Sequence, residues 1–278
     1  MLSQQVVLIT GCSTGIGAAL AEEFHRRGHR VFATARRVES LAALAGKGVR
    51  TLALDVDRAD SIAAAVAAVE ADAGRLDLLI NNAGFGQFGA VIDAGLDDMR
   101  RQFDTNVFAP VVVSRAALPL LRKSERACIV NVGSVSGIVT TPFAGVYCAS
   151  KAALHALSEA LRMELAPFGV RVVIVQPGGV VSDFGKAAEA RARLPEASLY
   201  KPIERFVLGR AKASQRGAMP TPAFAQALAE ALLRPNPDPV IRLGTHSTRL
   251  PLFKRWLPTK LVDRKLRKAF GLERLNSG

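Results

Sequence analysis

Val6-Val7-Leu8-Ile9-Thr10-Gly11-Cys12-Ser13-Thr14-Gly15-Ile16-Gly17 is the stretch whose reading decides the fold. Its four consecutive aliphatic residues suit a strand buried on both faces, as in a parallel sheet covered by helices. Glycines follow at G-x-x-x-G-x-G spacing, and the Ala-rich run over 18–27 then predicts a helix. A strand, a glycine loop and a helix start make an anion site, because glycine lets the main chain approach a diphosphate and the unpaired N–H groups of the first helical turn face it. The spacing is not G-x-G-x-x-G, so that motif's specificity does not transfer, and an ordinary glycine-rich turn stands as the alternative.

Further along, the same alternation repeats. Arg30-Val31-Phe32-Ala33-Thr34 reads as a second strand, followed by Ala35-Arg36-Arg37 where an adenosine ribose would lie. An acidic residue there would bond both ribose hydroxyls and repel a 2′-phosphate. Ala35 does neither, whereas Arg36 and Arg37 can pair with a phosphate, which indicates NADP(H), with NADPH preferred over NADH. The alternative is that both arginines are the solvated start of a helix.

A third strand over 49–54 ends in Asp55-Val56-Asp57, and the helix over 59–73 has Asp60 or Ser61 placed to cap it. Asp55 sits where an adenine amino group could be met, or is a helix-leading carboxylate. The fourth strand, 76–80, runs into Asn81-Asn82-Ala83-Gly84-Phe85-Gly86, which suits a structural loop or a cofactor crevice equally. One long helix is predicted over 96–122 with Asn106 near its middle, a poor interior helix residue that asks for a hydrogen-bonding reason. The fifth strand, 128–132, leads to Gly133-Ser134-Val135-Ser136-Gly137.

Tyr147-Cys148-Ala149-Ser150-Lys151 then places a phenol and an ammonium one helical turn apart. A cation beside a phenol favours the phenolate, and a tyrosine so tuned can give or take a proton. His155, one turn beyond, is read as a core or helix-face histidine. A sixth strand over 170–175 closes in Gln176-Pro177-Gly178-Gly179-Val180-Val181-Ser182. The region 183–222 is proline-interrupted, as in a lid or binding loop. A helix over 223–233 and a strand over 240–243 follow, and then a basic amphipathic extension over 245–278.

The fold class is therefore α/β: a Rossmann-type, doubly wound parallel sheet of about seven strands flanked by helices, with a substrate-loop insertion and a C-terminal helical extension. The 278 residues are expected to form one Rossmann-fold domain over 1–278. Cys12, Cys128 and Cys148 are an odd number without metal-ligand spacing and read as reduced thiols of a cytoplasmic protein. No signal-peptide core or membrane span is evident in the sequence. The formal charge of +13 admits nucleic acid, anionic lipid or an acidic substrate or cofactor. Nucleic acid is the poorest fit, since the basic residues are not interleaved with stacking aromatics.

Taken together, Thr10-Gly11-x3-Gly15-x-Gly17, Asn81-Asn82-Ala83-Gly84, Asn106, Ser134, Tyr147-x3-Lys151 and Pro177-Gly178 resemble the short-chain dehydrogenase/reductase family, over about 6–182. The resemblance implies a catalytic set of Asn106, Ser134, Tyr147 and Lys151. Tyr147 would be the proton donor in reduction and acceptor in oxidation, and Ser134 would bond the substrate oxygen. Lys151 would lower the Tyr147 pKa and hold the nicotinamide ribose, and Asn106 would hold a water linking Lys151 to solvent. The implied cofactor contacts are Gly11, Ser13, Thr14, Gly15, Ile16, Gly17, Asp55, Val56, Asn82, Ala83 and Gly84. Pro177, Gly178, Val180 and Ser182 would lie near the nicotinamide, with no metal.

Within the family, Val31-Phe32-Ala33-Thr34-Ala35-Arg36 and Ser158-Glu159-Ala160-Leu161-Arg162-Met163-Glu164-Leu165 are similar to the branch of hydroxysteroid and retinol dehydrogenases. The substrate class implied is a lipophilic alcohol or carbonyl compound, in a homo-oligomer, dimer or tetramer. Two alternatives are a ketoreductase of carrier-bound 3-oxoacyl chains and a non-enzymatic NADP-binding or membrane-surface regulator. The basic tail is expected either to touch membrane peripherally or to cover the substrate cleft with its charges solvated.

Overall fold

A computed structural model of the chain describes residues 4–185, 194–215 and 217–276. Parts of the predicted lid, 186–193 and residue 216, and both extreme ends lie outside the described residues. In chain order the first half comprises β1 (Val6–Ile9), α1 (Gly15–Arg26), β2 (Arg30–Ala35), α2 (Ala42–Ala45), β3 (Arg50–Ala53), α3 (Ala59–Ala73), β4 (Leu78–Asn81), α4 (Leu96–Phe103) and α5 (Ala109–Leu121). The second half begins with β5 (Cys128–Val132), α6 (Gly145–Leu165) and β6 (Arg171–Pro177). There follow α7 (Glu204–Gly209), α8 (Thr221–Leu232), β7 (Val240–Leu243), α9 (Arg249–Trp256) and α10 (Thr259–Ala269).

The strands form one seven-stranded sheet in the order β3-β2-β1-β4-β5-β6-β7. Every ladder is parallel. Strand alternation explains why β1 is apolar throughout. Val7 and Ile9 face a layer that includes Leu20 and Phe24 of α1 and Phe224 and Leu228 of α8. Val6 and Leu8 face the opposite layer, with Ile62 and Val69 of α3 and Val113 and Leu120 of α5. A strand covered on both sides favours apolar side chains at successive positions.

Between the central strands the core admits one polar network. Asn81 Nδ2 donates to Asn131 Oδ1 at 2.9 Å and to Ser114 Oγ at 3.0 Å. Asn131 Nδ2 donates to Ser158 Oγ at 2.8 Å, so β4, β5, α5 and α6 are tied by side chains of matched polarity. Asn81 thus belongs to the scaffold, while its neighbour Asn82 faces the loops.

Two sequence expectations change. The helix predicted over 96–122 is divided by a π turn, Asp104–Phe108. Pro110 has no N–H to give the Asn106 carbonyl, so a regular ladder cannot run through this point. Neither Asp60 nor Ser61 caps α3: Arg58 holds the cap position, Asp60 pairs with Arg58, and Ser61 Oγ accepts the Asp55 N–H at 2.9 Å.

The C-terminal extension packs on the sheet's loop end. Phe270, Leu272 and Leu275 join Ala90, Phe143, Ile203 and Val207 in a separate apolar cluster. Phe143 has a left-handed backbone, φ 62°, a conformation costing on the order of 1–3 kcal/mol for a non-glycine residue. Its ring contacts to Tyr200 at 5.5 Å and Phe270 at 6.4 Å help to offset that cost, and the turn it makes delivers the chain into α6.

Truncation of the polar network has a predictable cost. Asn131→Ala removes one acceptor from Asn81, which keeps Ser114 and Pro110, and the donor to Ser158 Oγ, which keeps Leu154, and about 0.5–1.5 kcal/mol of stability should be lost for each bond. Urea unfolding should show a lower midpoint at unchanged slope.

Candidate active site

Loops at the carboxyl ends of β1, β4, β5 and β6 enclose a cavity of about 920 Å³. Most residues singled out from sequence line it. Gly11, Ser13, Thr14, Gly15 and Ile16 come from the β1 loop, and Arg36, Asp55 and Val56 from the ends of β2 and β3. Asn82, Ala83 and Gly84 follow β4, Ser134 follows β5, Tyr147 and Lys151 come from α6, and Pro177, Gly178, Val180 and Ser182 complete the wall after β6. Gly17, Arg37 and Asn106 do not line it. Gly17 lies beneath the β1 loop, Arg37 is exposed off the cavity wall, and Asn106 is buried behind Gly84.

The β1 loop is held by close main-chain approach. A Cβ on Gly17 would lie 2.3 Å from the Gly11 carbonyl oxygen, and one on Gly11, where φ is +73°, would lie 2.8 Å from the Ala83 Cα. Asn82 Nδ2 donates to the carbonyls of Thr10 at 2.9 Å and Gly11 at 3.0 Å, joining the β4 loop to the β1 loop. At the head of α1, Thr14 makes no side-chain cap and the first turn carries no acidic residue. The N–H groups there are left to a ligand, and the helix dipole favours an anionic one. A dinucleotide phosphate fits this donor set. Arg36, exposed at the cavity edge, makes no salt bridge with a described residue and is placed for a further phosphate.

At the other end, α6 presents Tyr147 and Lys151, both buried. The Ser134 hydroxyl lies close enough to the phenol to lower its pKa, and rings of Phe88 and Phe184 stand 5.7 and 5.5 Å from the Tyr147 ring. Burial pushes the phenol up to about 12, against smaller lowering influences from Ser134 and from the Arg210 charge. The expected tuning by Lys151 is not what this geometry shows. Lys151 Nζ donates to the Val132 carbonyl at 2.8 Å, and its own pKa falls to about 8 because burial disfavours the cation.

Asn106, on the π turn, clasps the β4 loop: Nδ2 donates to the Phe85 carbonyl at 2.9 Å and Oδ1 accepts the Phe85 N–H at 3.1 Å. Gly84 lets the loop pass close to it, since a Cβ there would lie 3.0 Å from Asn106 Oδ1. His155 is buried, as expected, yet it positions the loop bearing Ser134. Burial lowers its pKa to about 4, so the ring is neutral and Nε2 accepts the Ser134 N–H at 3.4 Å. Its imidazole fills the space that a Cβ on Gly133 or Gly137 would need.

Sequence reasoning missed Phe88, Phe184 and Arg210 as cavity residues. Phe88 and Phe184 are single aromatics in loops, and Arg210 is one arginine among many in the loosened 183–222 region, so no periodicity marked them. The Lys151 environment yields a pH prediction. The unfolded side chain titrates near 10.5 and the native one near 8, so between these values the unfolded chain binds a proton that the native state has released. Lys151 therefore contributes stability that rises with pH across that window, while the buried Cys12 and Cys128 thiols, pushed up from 9.0 to about 12, contribute the opposite slope above about pH 9. The urea-determined stability difference between wild type and Lys151→Met should accordingly shift in favour of wild type from the lower edge of the window to the upper.

Residues 5–193 match the family described as short chain dehydrogenase. The NADPH-dependent 1-acyldihydroxyacetone phosphate reductase of Saccharomyces cerevisiae is 33% identical over 284 residues, covering 99% of this chain and 94% of the relative. A short-chain dehydrogenase from Streptomyces avermitilis superposes with a TM-score of 0.81 at 32% identity, over 99% of each chain. Another, from Sphingobium yanoikuyae and solved with NADPH, gives a TM-score of 0.68 at 31% identity, over 85% of this chain and 86% of its own. A sheet in this strand order, a glycine cradle at its first strand, a Tyr147/Lys151 helix over the same cavity and the family match through 5–193 agree: the chain belongs to the short-chain dehydrogenase family.

Proposed function

We propose that the protein is an NADP(H)-dependent oxidoreductase interconverting a lipophilic alcohol and its ketone or aldehyde, with Tyr147 as general acid and base. The observation that carries this reading is the Tyr147–Ser134 hydroxyl pair on the wall of a cavity whose other end is a phosphate cradle. When bound, the nicotinamide cofactor supplies or accepts the hydride. Tyr147, held protonated at neutral pH by burial, is ready to donate to an oxygen that becomes an alkoxide, and Ser134 bonds the same oxygen as charge develops. Lys151 is assigned to the nicotinamide ribose and, once a partner draws it from Val132, to biasing the phenol. Asn106 is assigned to a water between Lys151 and solvent, as well as to its clasp on Phe85.

Arg36 is the residue assigned to the 2′-phosphate. Arg37 has no such role in this reading, since it lies off the cavity wall. The names of the relatives support the cofactor and substrate class: the yeast enzyme is NADPH-dependent and its substrate combines an acyl chain with a ketone. Phe88, Val139, Phe184, Leu250 and Leu266 give the cavity an apolar flank suited to such a chain.

A second reading concerns the tail. Leu252, Phe253 and Trp256 of α9 are 50, 56 and 76% exposed beside Lys254 and Arg255, a surface suited to the interface of an anionic membrane. Among the described residues no helix is long and apolar enough to cross a membrane, so contact would be peripheral.

Spectrophotometric assay of NADPH and NADH oxidation with a panel of lipophilic ketones tests the main reading. Tyr147→Phe should lose about 10²–10⁴-fold in turnover while still binding NADPH. Arg36→Ala should weaken NADPH binding about 10–100-fold with NADH nearly unaffected, since one charge-assisted interaction is removed. Turnover surviving in Tyr147→Phe would exclude the assigned role. For the tail, Phe253→Ser/Trp256→Ser should reduce co-sedimentation with phosphatidylserine vesicles. Equal pelleting of variant and wild type would refute membrane contact through α9.

A further inference from the structure

Arg210 is 8% exposed, on the 3₁₀ turn that follows α7, and its guanidinium belongs to the cavity wall. Nε donates to Thr141 Oγ1 at 2.9 Å, and the planar group stands 5.0 Å from the Phe88 ring and 6.0 Å from the Phe270 ring. These contacts fix the orientation of the guanidinium without neutralising it. No described carboxylate forms a salt bridge with it, and no described group accepts a hydrogen bond from its two terminal nitrogens. Those nitrogens are nevertheless not sealed in the core: neither is among the fully buried, unpartnered polar atoms. In a side chain this buried, their remaining access is through the cavity. Among the described residues, the titratable groups that act on Arg210 are Cys148 and Tyr147, which places the guanidinium within electrostatic reach of the reacting phenol.

A buried guanidinium without a counter-charge is unfavourable, and arginine with two free, coplanar donors suits a bidentate oxyanion. We infer that the substrate of this cavity carries a phosphate or carboxylate group, and that the terminal nitrogens of Arg210 receive it while the reacting carbonyl lies against Tyr147 and Ser134. This rests on the reading of the cavity as the site of alcohol–carbonyl interconversion, and narrows it from lipophilic compounds in general to anionic ones. Arg210 and Tyr147 both stand against the Phe88 ring, the guanidinium at 5.0 Å and the phenol ring at 5.7 Å. The oxyanion and the carbonyl therefore sit a few bonds apart in one small molecule. The apolar remainder of the cavity takes the chain. Phe270 brings the C-terminal extension into the same subsite, since its ring is one of the two that hold the guanidinium.

Kinetics on matched pairs test this in the full-length protein. NADPH-dependent reduction of 4-oxodecanoate is compared with its methyl ester, and of 2-oxodecyl phosphate with 1-hydroxydecan-2-one. The anionic member should be preferred by about tenfold or more in kcat/KM, chiefly through KM, and the pair with the larger preference identifies carboxylate or phosphate as the natural group. In Arg210→Gln the preference should collapse towards unity, and Arg210→Lys should restore part of it. Binding provides an arm independent of turnover: calorimetric titration of the NADP-loaded protein with dodecyl phosphate, laurate and dodecanol. The anions should bind more tightly than dodecanol to wild type and lose that advantage in Arg210→Gln. If wild type prefers the neutral member of each pair, or if Arg210→Gln lowers acid and ester equally while moving the pH profile, the inference is overturned and Arg210 acts on Tyr147 instead. Discriminating binding without reduction of any ketone would support the anion subsite and refute the alcohol–carbonyl reading.

Discussion

The site exists because the parallel sheet reverses its winding between β1 and β4. From β1 the chain passes to β2 and β3 on one side, then returns to place β4 on the other. The loops leaving β1 and β4 therefore part in opposite directions, and the gap between them is the crevice in which ligands of such sheets bind. All strands are parallel, so every loop carrying a site residue emerges at the same edge. The crevice has rigid walls: the Asn82 amide bonds the Thr10 and Gly11 carbonyls, and Gly11 and Gly17 allow contacts that any Cβ would prevent.

On that frame, burial controls the charge of the catalytic end. Tyr147 and Lys151 line the cavity from one helix, with His155 on the same helix behind the Ser134 loop, and for each the desolvation of the charged form is the largest influence. The cofactor-free protein thus holds a protonated phenol, a lysine with a weakened hold on its proton and a neutral imidazole. Neutral His155 can accept the Ser134 N–H, which an imidazolium protonated at Nε2 could not. Arg210 is the exception, a group that keeps its charge under burial because guanidinium scarcely deprotonates. Its field is the cationic influence that reaches Tyr147 in this state.

The cavity's cover is assembled from segments far apart in sequence. Phe143, before α6, Tyr200, beyond β6, and Phe270, after α10, meet as edge-to-face rings. The tail is therefore part of the cavity's architecture, with Leu266 and Phe270 on the wall and the basic residues of α10 turned outward. That arrangement matches the cleft-covering alternative, while α9 leaves its aromatic residues in solvent.

The place of Ser134 in the site was implied only by the resemblance to the family, whereas the sequence by itself determined the strand and helix alternation, the glycine cradle and the placing of Tyr147 and Lys151 on one helix face. These are legible because each depends on local pattern: a buried aliphatic run, a glycine where main chain must approach, an i, i+4 spacing on one helix. Arg36 was legible for the same reason, as the residue directly after a strand end. What only the tertiary structure decided was the environment of those groups. Spacing placed Lys151 beside Tyr147, but its direction toward Val132, and with it the absence of tuning by lysine in this state, follows from where β5 ends. Arg37 differs from Arg36 only by which way the chain turns. The clasp of Asn106 on Phe85 needed a π turn that Pro110 imposes, and the placement of Arg210 beside the phenol needed a loop whose composition carries no period. Burial, contact across the sheet and the direction of a side chain are sums over distant segments, and no local pattern encodes them.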